Sequence, residues 1–168
     1  MSFEKLAKER YSQRYFSKQK VEQQKIDKIL EMAVIAPTAH NMQPHKIRVV
    51  TDEIALKLID ECTTSRFKAP CAIIVGYNKS ECWVRKHDEA NSGEVDSSII
   101  TTHMMLQAQD MGLSTLWVMH YDPFKLQEKL NIPTNITTVA ILMVGYPSES
   151  AKISKLHEKS KPLEEMMF

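Results

Sequence analysis

Residues 94–113, EVDSSIITTHMMLQAQDMGL, decide how the rest of the chain has to be arranged. Val95, Ile99, Met105 and Leu106 recur at helical spacing, and Ile100, Met104, Ala108 and Met111 widen the apolar stripe well past one face. A helix with a stripe that broad is normally covered on several sides. Asp96 or Ser97 is placed to cap its start, where an acidic residue also suits the helix dipole. Gly112 is placed to end it in a left-handed conformation. Ser114–Met119, STLWVM, is rich in strand formers and reads as a core strand. A helix this apolar needs more cover than 168 residues readily supply. That favours burial in a dimer interface over the alternative, the central helix of a monomeric α/β domain.

On the N-terminal side, Ser2–Glu9 reads as a short helix and Val21–Ala36 as an amphipathic one, with Ile26, Ile29, Leu30 and Ala33 in register. Pro37 stops that helix. A polar loop, Thr38–His45, leads into a strand at Lys46–Val50. Asp52 caps a further helix whose apolar face is Ala55, Leu58, Ile59 and Cys62, and Pro70 precedes a buried strand at Cys71–Tyr77. Asn78–Gly93 is a long polar connection, the kind that commonly serves as a functional loop or lid. Beyond the central helix and its strand, Asp122-Pro123 opens a short helix over Phe124–Leu130, and Ile136–Val144 is another core strand, closed by Gly145-Tyr146-Pro147. The tail is basic and then apolar at Met166, Met167 and Phe168, which predicts that it docks on something. Strands separated by helices gathered around the sheet read as a three-layer α+β fold, with residues 1–168 as one domain.

Composition narrows the function. The 22 basic residues are matched by 21 acidic ones, with no basic–aromatic interleaving, so no nucleic-acid partner is expected. Cys62, Cys71 and Cys82 are odd in number and lack CxxC spacing, which predicts free thiols in a reducing compartment, hence the cytoplasm. No run approaches a membrane span and the start lacks an apolar signal segment, so no membrane association is expected. GxSxG, HExxH, GxxxxGK[ST] and GxGxxG are all missing, and four glycines cannot build a glycine-rich phosphate cradle. The six histidines show no metal-ligand spacing and read more simply as surface or hydrogen-bonded groups, so no metal is predicted. Arg10, Ser12 and Arg14 near the start and Lys155, Lys159 and Lys161 near the end remain. Two arginines flanking a hydroxyl suit a phosphate through forked, charge-assisted hydrogen bonds, although by spacing alone an ordinary solvated face is the commoner explanation.

Four segments, in order, change that balance: Arg10–Phe16 (RYSQRYF), Ala36–Pro44 (APTAHNMQP), the central helix with Gly112–Trp117 (GLSTLW), and Gly145-Tyr146-Pro147 followed by Lys159–Glu165 (KSKPLEE). Together they resemble the FMN-dependent nitroreductase family over nearly the whole length. The resemblance implies a central, mostly antiparallel sheet flanked by helices. It also implies a homodimer with exchanged tails and two FMN sites in the interface, each built from both chains. On this likeness Arg10, Tyr11, Ser12 and Arg14 meet the FMN phosphate and ribityl chain, and Lys159 and Lys161 approach that phosphate from the tail. Pro37, Thr38, Ala39, Asn41 and Gln43 match positions beside the flavin and the substrate cleft. Trp117 matches a residue packed on the isoalloxazine ring, and Val118, Met119 and His120 follow where backbone N–H groups approach N5. His45 stands where the family often has tryptophan, Tyr11 stands for a second arginine, and Lys161 replaces a tail arginine with a point charge. The long helical lid of some members is missing, which leaves 78–93 to cover the substrate.

The implied activity is ping-pong hydride transfer from NAD(P)H to bound FMN and on to a nitroaromatic, a quinone or a similar acceptor. The cofactor carries that chemistry, so no catalytic side chain is required. A non-catalytic flavin-binding or redox-sensing dimer using the same site is the competing expectation. A small dimeric α/β interaction domain is the reading that needs no flavin.

Overall fold

The computed structural model describes residues 2–168. Four strands form an antiparallel sheet: β1 (His45–Val50), β2 (Cys71–Asn78), β3 (Ser114–Val118) and β4 (Ile136–Gly145), in spatial order β1-β2-β4-β3. The helices are α1 (Phe3–Glu9), α2 (Gln23–Ile35), α3 (Glu53–Asp60), α4 (Gly93–Asp110) and α5 (Pro123–Lys129).

Strand alternation sorts the sheet into two faces. Cys71, Ile73, Val75, Leu142 and Val144 point to one side and pack with Ile26, Ile29 and Ala33 of α2 and Ile100, Met104 and Ala108 of α4. Ala72, Ile74, Leu116, Val118, Ile141 and Met143 point to the other and pack with Leu56 and Ile59 of α3 and Leu126 of α5. The result is three layers, as expected, with β2 buried along its whole length.

The central helix differs from its expected form. It begins at Gly93, so neither Asp96 nor Ser97 is its cap. The Ser92 hydroxyl, at the cap position, instead donates to Asp96 Oδ2 at 2.7 Å. The buried line is Asp96, Ser97, Ile100, Thr101, Met104 and Ala108. Ile99, Met105 and Leu106 are half-buried and Val95 is 62 % exposed. Gly112 does turn left-handed, at φ 76°, and this lets the Leu113 N–H reach the Ala108 carbonyl at 2.9 Å. Strand β3 stops at Val118, so Met119 lies outside it. The apolar terminus is exposed rather than docked on its own chain. Among the described residues no helix is long and apolar enough to cross a membrane.

Candidate functional site

The segment after α1 lies along the free edge of β3. Ser12 forms a parallel bridge with Thr115, and the Gln13 N–H donates to the Thr115 carbonyl at 2.9 Å. Gln13 is fully buried; its Oε1 accepts from the backbone N–H groups of Arg14 (2.9 Å) and Tyr15 (2.8 Å), and its Nε2 donates to the Tyr11 hydroxyl (3.1 Å). This buried amide fixes the backbone so that its neighbours on both sides face outward. Arg10, Tyr11, Ser12 and Arg14 then line a cavity of about 270 Å³, closed from the tail by Ser154, Leu156 and His157. His157 Nε2 sits 3.0 Å from the Lys8 carbonyl and its ring meets Tyr11 edge-on, which anchors the tail.

Among the described residues no carboxylate lines this cavity. Arg10 is half-buried, and desolvation pulls its guanidinium pKa below the ordinary value. Among the described residues neither Arg10 nor Arg14 has an acidic partner; Arg14 Nη1 reaches only the Ser12 carbonyl, at 3.4 Å. Two guanidiniums, three hydroxyls and an imidazole, with no carboxylate among the described residues, suit a phosphate dianion. Nearby on β3, Thr115 Oγ1 and Trp117 Nε1 are buried without hydrogen-bond partners. Trp117 is half-buried, and alternation turns it away from Leu116 and Val118 toward the α4 side. Met119 and His120 follow, both exposed, and the Thr63 hydroxyl holds the His120 carbonyl at 2.6 Å.

The second group lies elsewhere. Pro37 to Gln43 crosses from α2 to β1, the opposite edge strand, with His40, Asn41 and Gln43 all left-handed (φ 51°, 54° and 51°). Left-handed non-glycine residues carry strain and persist only where their surroundings hold them. Asp96 Oδ1 accepts from the Ala39 N–H at 2.9 Å, the Thr38 hydroxyl accepts from the Gln43 N–H at 3.1 Å, and the Gln43 and Asn41 side chains meet at 3.1 Å. The His40 ring stacks on Trp83 at 5.3 Å, tying this loop to the connection before α4. That connection is ordered: Val84 bridges Asn91, and Arg85 pairs with Asp88. His45 Nδ1 is buried without a partner, and desolvation lowers the His45 pKa.

The chain therefore brings Arg10, Tyr11, Ser12 and Arg14 together at the β3 edge, with Trp117 and Val118 on that strand and Met119 and His120 just beyond its end. It places Pro37, Thr38, Ala39, Asn41 and Gln43 by β1, three strand spacings across the sheet, on the order of 14 Å. Lys159 and Lys161 do not line the cavity; both are exposed, and Lys161 pairs with Glu165 at 3.8 Å. His157 and Asp96 are the residues the sequence reading did not assign to the site. A lone histidine in a basic tail gives no signal, whereas one buried acid at the head of an apolar helix is a usable one. Among the described residues no group of three or more His, Cys, Asp or Glu could hold a metal ion.

The chain is similar to known proteins over most of its length. A protein of Archaeoglobus fulgidus described as an NADH dehydrogenase/NAD(P)H nitroreductase is 28% identical over 166 residues, covering 91% of this chain and 90% of that protein. The crystal structure of a nitroreductase family protein from Clostridium difficile 630 superposes with a TM-score of 0.94 at 37% identity, covering 100% of this chain and 98% of that one. An FMN-dependent nitroreductase from Clostridium difficile R20291 gives a TM-score of 0.76 at 28% identity, over 92% and 93% of the two chains. The profile of the Nitroreductase family matches residues 7–65 and 64–146, which include the arginine segment, the strained loop, α4 and β3. By that match, and by the fold that carries it, the chain belongs to the nitroreductase family.

Proposed function

We propose that this protein is an FMN-dependent oxidoreductase that takes a hydride from NAD(P)H and delivers it, in ping-pong order, to a nitroaromatic, a quinone or a similar small acceptor. The observation that carries the reading is the cavity of Arg10, Ser12, Arg14 and His157, cationic and, among the described residues, free of carboxylates. Bound FMN would supply the redox chemistry. The chain's own part is to hold and orient. Arg10 and Arg14 grip the phosphate by forked hydrogen bonds, with Ser12 and Tyr11 between them, and Lys159 and Lys161 add positive charge from the exposed tail. Trp117 and the backbone of Val118, Met119 and His120 border the ring, and Trp117 Nε1 and Thr115 Oγ1 offer buried donors still in need of partners.

The separation of the two residue groups supports a homodimer. Pro37, Thr38, Ala39, Asn41 and Gln43 lie at the far edge of their own sheet from the phosphate cavity, and a two-fold partner would bring a second copy of them to it. A groove of about 660 Å³ between α1, α2 and α4, lined by Phe3, Leu6, Met32 and Leu106, gives that partner an apolar surface to cover. NAD(P)H oxidation and acceptor reduction would take place in turn in the cleft beside Asn41 and Gln43.

The test is optical. The purified protein should be yellow, or become so with FMN and keep the colour through gel filtration. Anaerobic NADH or NADPH should then bleach it, and menadione or nitrofurazone should restore the absorbance. A protein that holds no flavin sinks the reading; one that holds flavin and cannot be bleached is a binding or sensing protein instead.

A further inference from the structure

A second cavity of about 270 Å³ lies under the α3 layer, at the end of the sheet where β1 finishes and β2 begins. It shares no lining residue with the cavity of Arg10 and Arg14. Its wall carries Lys18, Lys20, Lys57, Arg66 and Lys68 against, among the described residues, a single carboxylate, Glu53. The chain as a whole is balanced at net +1, so this concentration of charge is local. Arg66 is already committed: it pairs with Asp60 and donates to the Ala69 carbonyl at 2.9 Å, and its side chain is only 14% exposed. The four lysines have no acidic partner among the described residues. Like charges gathered around a concavity repel one another, and a low-dielectric wall focuses their field into it. The loop that presents Lys68 is also held in an unfavourable conformation, with Phe67 and Lys68 both left-handed at φ 51° and 60°.

We propose that this cavity is a second anion site, which takes a phosphate-bearing small molecule with two or more adjacent negative charges, of the pyrophosphate or nucleoside polyphosphate class. One monovalent anion would leave most of the lysine charge uncompensated. The lysine ammonium groups are mobile point charges that adapt to tetrahedral phosphate oxygens, and the arginine here, whose fork suits carboxylate and phosphate alike, is already held by Asp60. The volume admits a pyrophosphate group with its first waters. A nucleotide would enter by its phosphates and leave its base outside, because among the described residues the only apolar side chains on the wall are Leu56 and Pro70.

The experiment is calorimetric titration of the full-length protein at low salt, with and without saturating FMN, using inorganic pyrophosphate, ATP without magnesium, orthophosphate and citrate. The expected result is one saturable pyrophosphate site per chain that persists when FMN is bound, is matched by ATP, and is at least about tenfold weaker for orthophosphate and citrate. Lys57→Gln with Lys68→Gln should weaken it by more than about tenfold, and Glu53→Gln should tighten it. Arg10→Gln should leave it unchanged. Circular dichroism melts without ligand check that the variants stay folded, which exposed lysine substitutions should do. Loss of binding in Arg10→Gln, or competition by FMN, would place the anion in the first cavity and overturn the proposal. So would binding indifferent to Lys57 and Lys68, or the lack of a saturable site. Each of those outcomes leaves the flavin reading standing, since that rests on colour and bleaching.

Discussion

Replacing Asp96 by alanine tests whether one buried carboxylate holds the strained loop at the site. Asp96 is 1% exposed, and both of its oxygens are used: Oδ1 accepts from the Ala39 N–H at 2.9 Å and Oδ2 from the Ser92 hydroxyl at 2.7 Å. Hydrogen bonds to a charged group contribute about 1.5–3 kcal/mol each, and the cost of burying the carboxylate offsets part of that. Its place in the first turn of α4 adds about 0.3–1 kcal/mol through the helix dipole. Asp96→Ala leaves the buried Ser92 hydroxyl and the half-buried Ala39 N–H unpaired, so the loss should be about 3 kcal/mol. For a chain of this size that is about 6–12 °C in Tm. Asp96→Asn keeps the shape and an acceptor for Ala39 and should lose only about 1–2 kcal/mol. Urea unfolding of the flavin-free protein at one fixed concentration measures both variants, and hydrogen exchange should show faster amide exchange at Ala39 and Gln43 in the alanine variant. A loss below about 1 kcal/mol for Asp96→Ala, or equal losses for the two variants, would refute the tether.

Arg10→Ala should weaken FMN binding at least about tenfold and so remove about 1.4 kcal/mol of ligand-derived stability at fixed FMN, with turnover recovering once FMN is saturating; full retention of FMN through dialysis would contradict this. Burial first and the charge of Lys46 second lower the His45 pKa, against an opposing pull from Asp96. The unfolded chain therefore binds that proton more readily, and stability present above about pH 6.5 is lost as pH falls from there through the lowered folded-state value; His45→Gln should flatten the fall in urea midpoint between about pH 7 and 5. Gly76→Ala would set a Cβ 2.4 Å from the Thr137 carbonyl in the β2–β4 ladder and should cost about 2–3 kcal/mol, against about 1 for Gly112→Ala, where the strain is conformational and space is open; thermal melts rank the two. Light scattering should find a dimer at micromolar concentration, and a stable folded monomer would remove the composite-site argument.

The layers and the approximate strand and helix spans were legible because they rest on local chemistry; the start of α4 at Gly93 was not. Asp52 caps α3 by accepting from the Ala55 N–H, Pro123 opens α5, and the β-branched run of β2 is buried throughout, each as its residue type requires. The inward face of α4 was misread because hydrophobicity was taken as the guide to burial. Asp96, Ser97 and Thr101 lie inward since each has a partner: Ala39, the Gly76 carbonyl, and the Ser97 carbonyl. Satisfied polar groups cost little to bury, so Val95 could be left outside. His157 was invisible for a different reason. Its place beside Arg10 depends on the tail returning across roughly the full length of the sequence to the end of α1, and no periodicity encodes such a return.

Helix α4 changes chemistry along its length, and this accounts for its two roles. In its first two turns the inward residues are polar and act on backbone: Asp96 holds Ala39 and Ser97 reaches the Gly76 carbonyl at the bulge in β2. In its later turns Met104 and Ala108 pack on the sheet with α2. Its outer side carries Leu106 into the apolar groove with Phe3 and Met32. If a second copy covers that groove, the helix that fixes the strained loop is also the one the partner presses on. The loop's position is then set by the same contacts that bring it to the other chain's phosphate cavity. Assembly and site geometry become one equilibrium, and a substitution on the outer face of α4, far from any flavin contact, acts on both.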